Sequence, residues 1–265
     1  MRLLVTGAAG YVGSRVAALA ADLGHEVVGA SRSAGMPLDV TDRAATEDLV
    51  DRVRPDAIVH CAYRQGDWAT TATGAAHVAG GAATSGARLV LVSTDLVFSG
   101  TKDRYLESDP PDPICAYGAA KAAAETVVAQ VCPSYAVVRS SLVLGDGDSA
   151  PEQFVHRLAH AQARGALYTD EVRCPVHVDD LAAALVEVAV GEAHEHVGVL
   201  HVAGSEAVTR YRIGELVAAR DGLDPLTIPG GPRGAAPGPA EVVLDTERTQ
   251  ALLRTRLRPV SEFLR

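Results

Sequence analysis

Short apolar runs alternate along this chain with longer stretches in which apolar residues recur every three or four positions. Continuous apolar runs predict buried strands, and the wider spacing predicts helices that bury one face. The predicted strands are Arg2–Thr6, Glu26–Ala30, Ala57–Cys61, Leu89–Ser93 and Tyr135–Val138. The predicted helices are Val12–Leu23, Ala45–Val53, Ala116–Gln130 and Asp179–Val190, with a weak glycine-rich helix before Leu89.

Strands that are apolar throughout and alternate with helices are typical of a parallel sheet covered on both faces. We therefore predict an α/β fold, a doubly wound parallel-sheet Rossmann domain. The last third differs, because the stretch 222–240 holds five prolines and five glycines, which favours a loop-rich connection. We expect the Rossmann domain to span 1–145, with 168–203 returning to it, and a small C-terminal substrate-binding region to span 146–167 and 204–265.

Composition and charge narrow the class of protein. The 265 residues are 48% hydrophobic and 22% charged, which is ordinary for a globular domain. A net charge of −9 argues against nucleic acid and acidic membranes as partners. No apolar run approaches the ~20 residues of a membrane span, and Met1 leads into a strand rather than a signal peptide. The four cysteines form no C-x-x-C pair, so we expect reduced thiols and a cytoplasmic protein.

The first predicted strand runs into a glycine-rich turn that reads VTGAAGYVG, with glycines at Gly7, Gly10 and Gly13. A tight turn between a strand and a helix lets backbone N–H groups and the helix N-terminus face a pyrophosphate, and glycine permits a close approach. This pattern predicts a dinucleotide cofactor. The alternative is a purely structural turn, because strand–helix turns favour glycine without any ligand.

The end of the second predicted strand indicates which dinucleotide is bound. A chain that binds NAD commonly has a carboxylate there for the ribose 2′-hydroxyl. This chain reads Ser31-Arg32-Ser33 instead, and a guanidinium flanked by hydroxyls suits a 2′-phosphate. We therefore predict NADP(H), with NAD(H) as the alternative cofactor. The other interpretation of Arg32 is a solvated loop arginine.

The helix Ala116–Gln130 carries a candidate catalytic pair. Tyr117 and Lys121 are four residues apart and so share one helical face. A lysine cation beside a phenol lowers the tyrosine pKa from its ordinary value of about 10, which favours proton transfer to a carbonyl oxygen. The strand upstream ends in Ser93 and Thr94, whose hydroxyls can polarise the same oxygen. Because Y-x-x-x-K also arises by chance on helices, the prediction depends on its combination with the glycine turn.

Two other patterns receive structural interpretations. His156 and His160 have H-x-x-x-H spacing, but Arg157 stands where a zinc protease has glutamate, so we predict no metal site. Glu125 lies one turn beyond Lys121, and we expect an exposed ion pair between them.

These motifs occur in one order along the chain and resemble those of a known family. VTGAAGYVG, STDLVFSG, YGAAKAAAE and DEVRCPVHVDDLA are similar to the corresponding segments of the extended short-chain dehydrogenases/reductases. Within that family the likeness is closest to dTDP-4-dehydrorhamnose reductases and related sugar-nucleotide-binding proteins. STDLVFSG followed by YGAAKAAAE is the most specific part of the resemblance. One departure lies in the helix before Leu89, where the family usually carries an asparagine in a V-N pair. This chain reads Ala76-His77-Val78-Ala79 there, which makes His77 the candidate for part of the proton relay behind the lysine.

The resemblance implies a role for each matching residue. Thr94, Tyr117 and Lys121 would be the catalytic set, with Tyr117 as the general acid and Lys121 also holding the nicotinamide ribose. The cofactor would contact Gly7, Gly10, Tyr11, Val12 and Gly13 at its pyrophosphate; Ser31 and Arg32 at the adenosine phosphate; Asp39 and Val40 at the adenine; Cys61, Ala62 and Tyr63 at the ribose; and Ser93, Tyr117, Lys121, Arg139, Ser140, Ser141 and Leu142 towards the nicotinamide.

The motifs leave three functions open. The first is an NADPH-dependent reductase of a keto group on a sugar nucleotide. The second is an NAD-dependent sugar-nucleotide epimerase of the same fold, against which Arg32 and the STDLVF likeness count. The third is a non-catalytic NADP-binding regulatory protein, as the resemblance to the methionine adenosyltransferase beta subunit allows. For each we expect a small-molecule partner, a nucleotide sugar for the enzymes, and a homodimer as the candidate assembly.

Overall fold

The computed structural model describes residues 1–265, and a seven-stranded sheet runs through its centre. The strands are β1 Arg2–Thr6, β2 Glu26–Ser31, β3 Met36–Pro37, β4 Ala57–His60, β5 Arg88–Thr94, β6 Tyr135–Ser140, β7 Val143–Leu144, β8 Leu167–Tyr168, β9 Val172–Arg173, β10 Val176–His177, β11 Gly198–Val202, β12 Val208–Thr209 and β13 Gly230–Gly231. The sheet has the order β11-β6-β5-β4-β1-β2-β3, and every neighbouring pair in it is parallel.

Helices cover both faces of this sheet. They are α1 Tyr11–Asp22, α2 Arg43–Val53, α3 Gly74–Ser85, α4 Ala116–Val131, α5 Ala150–Ala159, α6 Val178–Val190, α7 Arg210–Asp221, α8 Glu247–Leu252 and α9 Val260–Phe263. Successive side chains of a strand point to opposite faces, so Leu3 and Val5 join the core beneath α1 and α6. Leu4 joins the core beneath α2, α3 and α4. The predicted α/β doubly wound fold is confirmed.

The chain reverses its direction of winding at β1, which creates a crevice. From β1 it moves outward through β2 to β3, and it then returns to place β4 on the other side of β1. Ligands of open α/β sheets bind at such a switch point, outside the carboxyl ends of the strands. The glycine turn after β1 and Cys61 after β4 both lie at this edge.

The five predicted strands and four predicted helices are present, with ends that differ by at most two residues. The weak helix is α3, and a π-helical turn, Ala69–Thr73, precedes it. The prediction omitted the edge strand β11, whose sequence GVLHV is short and contains a histidine. No helix combines the length and the apolar character needed to cross a membrane.

A separate apolar core lies beyond the sheet, towards the C-terminus. It is formed by α5, α7 and α9 with short strands, and its buried residues are Leu144, Val155, Leu158, Leu167, Val208, Ile213, Val217, Ala218, Ile228, Val260 and Leu264. The proline- and glycine-rich stretch 222–240 contains only the 3-10 turn Pro225–Thr227 and the strand β13. The domain boundaries proposed from the sequence stay a prediction.

Candidate functional site

The glycine turn after β1 is shaped by close backbone contacts. Gly7 has φ +71°, and a Cβ atom there would lie 2.7 Å from the backbone nitrogen of Ala62. A Cβ atom at Gly13 would lie 2.3 Å from the carbonyl oxygen of Gly7. Gly10 is the N-cap of α1 and supplies no side-chain cap, so the first N–H groups of the helix are left for another acceptor. This arrangement suits a pyrophosphate.

A cavity of about 390 Å³ adjoins this turn at the switch point. Its lining comprises Gly7, Ala9, Gly10, Ala30, Ser31, Arg32, Ser33, Leu38, Asp39, Val40, Cys61, Ala62, Tyr63 and Thr70. Most cofactor contacts predicted at the adenosine end are therefore brought together in one place. A larger cavity of about 640 Å³ lies at the other end of the strands, with a single apolar residue in its wall, and contains no candidate residue.

The charged and polar side chains in the cavity wall differ in whether they already have hydrogen-bond or ion-pair partners within the protein. The hydroxyl of Ser31 donates to the carbonyl oxygen of Ala34 at 2.6 Å and accepts from its N–H at 2.8 Å, so it shapes the loop. Arg32 is exposed and pairs with no carboxylate. Hydrogen bonds from Thr41, aided by the charge of Arg32, hold the pKa of Asp39 below its ordinary value. Arg32 is thus the cation left for a phosphate.

Tyr11 and Val12 occupy the start of α1. The Tyr11 hydroxyl donates to Oδ1 of Asp148 at 2.9 Å and lies against Gly145, where a Cβ atom would come within 2.1 Å of it. Val12 packs against the core beneath α1 and α6. Tyr11 therefore connects the pyrophosphate turn to the loop after β7.

The catalytic candidates lie on two neighbouring elements: Thr94 ends β5, and Tyr117 and Lys121 lie near the start of α4, which packs against β5. The Thr94 hydroxyl donates to Oδ1 of Asp95 and accepts from the N–H of Leu96, both at 3.2 Å. The Lys121 ammonium donates to the carbonyl oxygen of Val92 at 2.8 Å.

Tyr63, at the edge of the cavity, connects it to the catalytic pair. Its ring centroid lies 5.2 Å from the Lys121 ammonium nitrogen and 5.7 Å from the centroid of the Tyr117 ring. The cofactor cavity and the catalytic pair are therefore adjacent.

The environment acts on the two catalytic groups in opposite ways. Burial, with smaller effects from Tyr63 and Asp95, raises the pKa of Tyr117 above its ordinary value. Burial lowers the pKa of Lys121 to about 8. The prediction that Lys121 lowers the Tyr117 pKa is therefore wrong in this structure, because burial dominates and the ammonium is directed at Val92. The phenol is held in its protonated form, as an acid requires.

Glu125 and Arg139 form a buried ion pair on the other side of the lysine. Their closest atoms are 2.8 Å apart, and both side chains are almost fully buried. Glu125 also accepts from the Ser93 hydroxyl, and the guanidinium lies 4.9 Å above the Phe98 ring. The predicted exposed pair between Glu125 and Lys121 is wrong. Since the guanidinium of Arg139 is committed to Glu125, only its backbone is left to approach a nicotinamide.

Asp95 organises the segment after β6. It accepts from the Ser141 hydroxyl at 2.6 Å and lies 3.6 Å from the Arg173 guanidinium. Burial raises the pKa of Asp95, and the charge of Arg173 opposes that shift. The Ser140 hydroxyl is 3.5 Å from the carbonyl oxygen of Ser93, and Leu142 packs against the C-terminal core.

One group of side chains has ligand atoms close enough for a metal ion. Atoms of Asp146, His177 and Asp179 lie within 4.8 Å of one another. The guanidinium of Arg15 lies 3.5 Å from Asp179 and 3.8 Å from Asp146, so a cation already faces these carboxylates.

Sequence reasoning missed His60, the last residue of β4. Its Nδ1 lies 2.7 Å from the Thr6 hydroxyl, and its Nε2 is buried without a hydrogen-bond partner. Burial, and to a smaller extent the Lys121 charge, lowers the pKa of His60 to about 3. The available signal was a histidine that closes an otherwise apolar strand. His77, the candidate for a relay, instead bonds the carbonyl oxygen of Val40 at 2.9 Å.

Comparison with known proteins gives consistent matches. The family model described as the RmlD substrate binding domain matches residues 1–265. A dTDP-4-dehydrorhamnose reductase of Mycobacterium tuberculosis (strain ATCC 25618 / H37Rv) is 35% identical over 242 residues, which cover 84% of this chain and 77% of that protein. Methionine adenosyltransferase 2 subunit beta of Xenopus laevis is 29% identical over 276 residues, covering 95% and 82%.

A solved structure shares the fold over nearly the whole chain. The dTDP-4-dehydrorhamnose reductase of Bacillus anthracis str. Ames, in complex with NADP, has a TM-score of 0.88 at 23% identity and covers 99% of this chain and 95% of its own. The resemblance and the oxidoreductase class predicted from the motifs are confirmed by these matches.

Proposed function

Because the chain belongs to the RmlD substrate binding domain family, we propose that it is an NADPH-dependent reductase of a keto group on a sugar nucleotide, with Tyr117 as general acid. The observation that carries this proposal is that Tyr63, in the wall of the cavity that also holds the unpaired Arg32, lies against both Lys121 and the Tyr117 ring. The relatives named dTDP-4-dehydrorhamnose reductase supply the substrate class.

The residues present fit NADP(H). The glycine turn offers N–H groups to a pyrophosphate, and Arg32 offers a planar cation to a 2′-phosphate. Lys121 would hold the ribose hydroxyls through its ammonium, which here donates to the carbonyl oxygen of Val92. When bound, the reduced nicotinamide supplies the hydride.

The catalytic residues handle the proton. Thr94 redirects its hydroxyl from Asp95 to the substrate carbonyl oxygen and so increases the polarisation of the C=O bond. Tyr117 donates the phenolic proton to that oxygen as the carbonyl carbon is reduced, which leaves a hydroxyl on the product and a phenolate on the enzyme. Lys121 would stabilise the phenolate through the charge of its ammonium once that group turns from Val92 towards the ribose site.

A binding and turnover experiment tests this function. The purified protein is titrated with NADPH and NADH, and the reduced-nicotinamide absorbance is then followed with a panel of dTDP- and UDP-linked 4-keto-6-deoxy sugars. We expect tighter binding of NADPH and its oxidation by at least one member of the panel. NADPH binding without oxidation of any ketone would instead favour a regulatory protein, which the similarity to methionine adenosyltransferase subunit beta supports as second candidate.

A further inference from the structure

The ammonium of Lys121 is buried with few polar partners. The residue is 2% exposed, and its one hydrogen bond goes to the carbonyl oxygen of Val92 at 2.8 Å. An ammonium group can donate three hydrogen bonds, and burying its charge is unfavourable unless other groups replace the lost water. His77, the residue expected behind the lysine, bonds the carbonyl oxygen of Val40 instead. The charge of Lys121 therefore needs another source of stabilisation.

The titratable groups that face this ammonium do not supply a free negative charge. At the end of β4, burial raises the pKa of the Cys61 thiol to about 12 and lowers the pKa of His60 to about 3, so both side chains are neutral at neutral pH. Glu125, one turn further along α4, is the only carboxylate whose charge acts on Lys121. It is already paired with Arg139 at 2.8 Å, so its charge is largely offset.

The ring of Tyr63 is the remaining partner of the ammonium. Tyr63 lies three residues beyond the end of β4, and the Lys121 nitrogen stands over its ring, 5.2 Å from the centroid. The face of an aromatic ring carries partial negative charge and attracts a cation, most strongly where water is excluded. Tyr63 is 56% exposed, so burial in the core does not account for its position.

The same ring also contacts Tyr117. The centroids of the two tyrosine rings are 5.7 Å apart and their planes are inclined by 46°, a tilted arrangement within the range of favourable aromatic pairs. Tyr117 and Lys121 are one helical turn apart on the same face of α4. A ring that contacts both side chains therefore fixes the ammonium relative to the phenol.

We propose that Tyr63 is a positioning residue, whose ring face holds the Lys121 ammonium in place and favours its charged form. A charged lysine is what would stabilise a phenolate at Tyr117, so Tyr63 acts on the reaction through Lys121 and not by touching the ketone. In this respect the inference rests on the proposed function, whereas the contact between Tyr63 and Lys121 does not.

Nuclear magnetic resonance of the lysine side chains tests the contact without turnover. Lysine occurs in this chain only at Lys102 and Lys121, so lysine labelled with ¹³C at Cε gives one signal for each. Burial lowers the pKa of Lys121 to about 8. We expect Tyr63→Leu to lower the midpoint of the Lys121 titration by about half to one further pH unit, because the attraction between ring and cation is lost. Tyr63→Phe retains the ring and should leave the midpoint unchanged.

The chain offers two controls for this titration. Trp68→Leu is the matched variant, because Trp68 is a neighbouring aromatic residue with nearly the same exposure, 54%, and lies beneath neither lysine ammonium. Lys102 is the reference within each spectrum, since its ammonium is at the surface and pairs with Asp109 at 2.7 Å. The Trp68 variant should leave the Lys121 midpoint unchanged, and every variant should leave the Lys102 signal unchanged.

Three outcomes would overturn the proposal. A rise of the Lys121 midpoint in Tyr63→Leu would mean that the ring only excludes water. An unchanged midpoint would mean that the ring does not act on the ammonium. A fall of the same size in Tyr63→Phe or Trp68→Leu would mean that the face of the Tyr63 ring is not its cause.

The pH dependence of kcat then separates this inference from the proposed function. In a reductase, the loss of kcat at alkaline pH should move to lower pH in Tyr63→Leu by the same amount as the Lys121 midpoint. A shifted midpoint in a protein that reduces no ketone would support the positioning role of Tyr63 and contradict the reductase. Ketone reduction with an unshifted midpoint would do the reverse.

Discussion

The two sides of the catalytic pair are built differently. On the cofactor side, the ends of β1, β2 and β4 leave polar groups free around a cavity, with Arg32 unpaired in its wall. On the side of the C-terminal region, charged groups are buried against one another, as in the pairs Glu125–Arg139 and Asp95–Arg173.

This difference separates a site built from backbone geometry from one built from paired charged side chains. The cofactor side depends on close backbone packing and on the free N–H groups at the start of α1. A Cβ atom at Gly7, for example, would lie 2.7 Å from the backbone nitrogen of Ala62. The other side depends on charges that lie far apart in the chain, since Arg173 is 78 residues from Asp95. A substitution on the cofactor side should therefore change the affinity for the cofactor alone. A substitution on the other side should disturb several charged side chains at once, because they are paired with one another.

The largest effect is expected at Tyr117, where the two sides meet. Tyr117→Phe removes the proton donor and leaves the ring in place. We expect kcat to fall about 100- to 10,000-fold, because general acid catalysis contributes that much. The NADPH dissociation constant should change by less than about twofold, because the phenol oxygen contributes little to cofactor binding. Steady-state kinetics and a fluorescence titration measure the two quantities.

Tyr135→Phe is the control for this variant. Tyr135 begins β6 at the opposite end of the sheet and packs against the core there. Its kcat should match that of the unaltered protein. Retention of kcat in Tyr117→Phe would remove Tyr117 from the mechanism, and a parallel loss in both variants would indicate a folding defect.

A smaller and more selective effect is expected on the cofactor side. Arg32→Ala removes the cation proposed for the 2′-phosphate. We expect NADPH affinity to fall about ten- to a hundredfold and NADH affinity to change by less than about twofold, because only NADPH carries that phosphate. Parallel titrations with the two cofactors measure the ratio.

Arg64→Ala is the matched control, because Arg64 is also an exposed arginine near Asp39. It should leave the preference for NADPH unchanged. Equal losses of NADPH and NADH affinity in Arg32→Ala would contradict the NADP(H) assignment. If Arg64→Ala lowered the preference for NADPH as much as Arg32→Ala does, the preference would come from the overall positive charge of this surface rather than from a contact with the phosphate.

The distance in the chain between interacting residues explains what the sequence could predict. Periodicity and turn chemistry are local, and they predicted β1, α1, the glycine turn and the α/β class. The resemblance implies that Thr94, Tyr117 and Lys121 act as one set, and that role stays a prediction. These inferences needed no knowledge of which distant segments touch.

The errors all concern partners that are distant in the chain. Glu125 reads locally as an i,i+4 partner of Lys121, but β6 places Arg139 beside it. The pKa of Tyr117 was assigned from one neighbour, whereas burial by several elements decides it. An arginine inside the apolar run of β6 did signal a buried charge that requires a partner. No local pattern indicated that Arg173 would lie beside Asp95.

The smallest effect is expected in the stability of the two sides towards acid. Each side buries a histidine whose pKa is lowered: His60 near the cofactor cavity, to about 3, and His201 in β11, to about 4. Between these values and the ordinary 6.5, the unfolded chain binds protons that the folded protein excludes. The free energy of unfolding should therefore fall as the pH drops below about 6.5, by up to about 1.4 kcal/mol per pH unit for each histidine.

Urea unfolding at several pH values between neutral and mildly acidic measures this slope. His60→Asn and His201→Asn should each reduce this slope by up to about 1.4 kcal/mol per pH unit, the contribution of one proton. The two reductions show whether the two sides contribute equally. His194→Asn is the control, because His194 is exposed and its Nδ1 contacts only the carbonyl oxygen of Gly191, three residues earlier. An unchanged slope in both buried variants would mean that other groups account for the loss of stability in acid. A reduced slope in only one of them would assign the acid-sensitive histidine to that side of the catalytic pair.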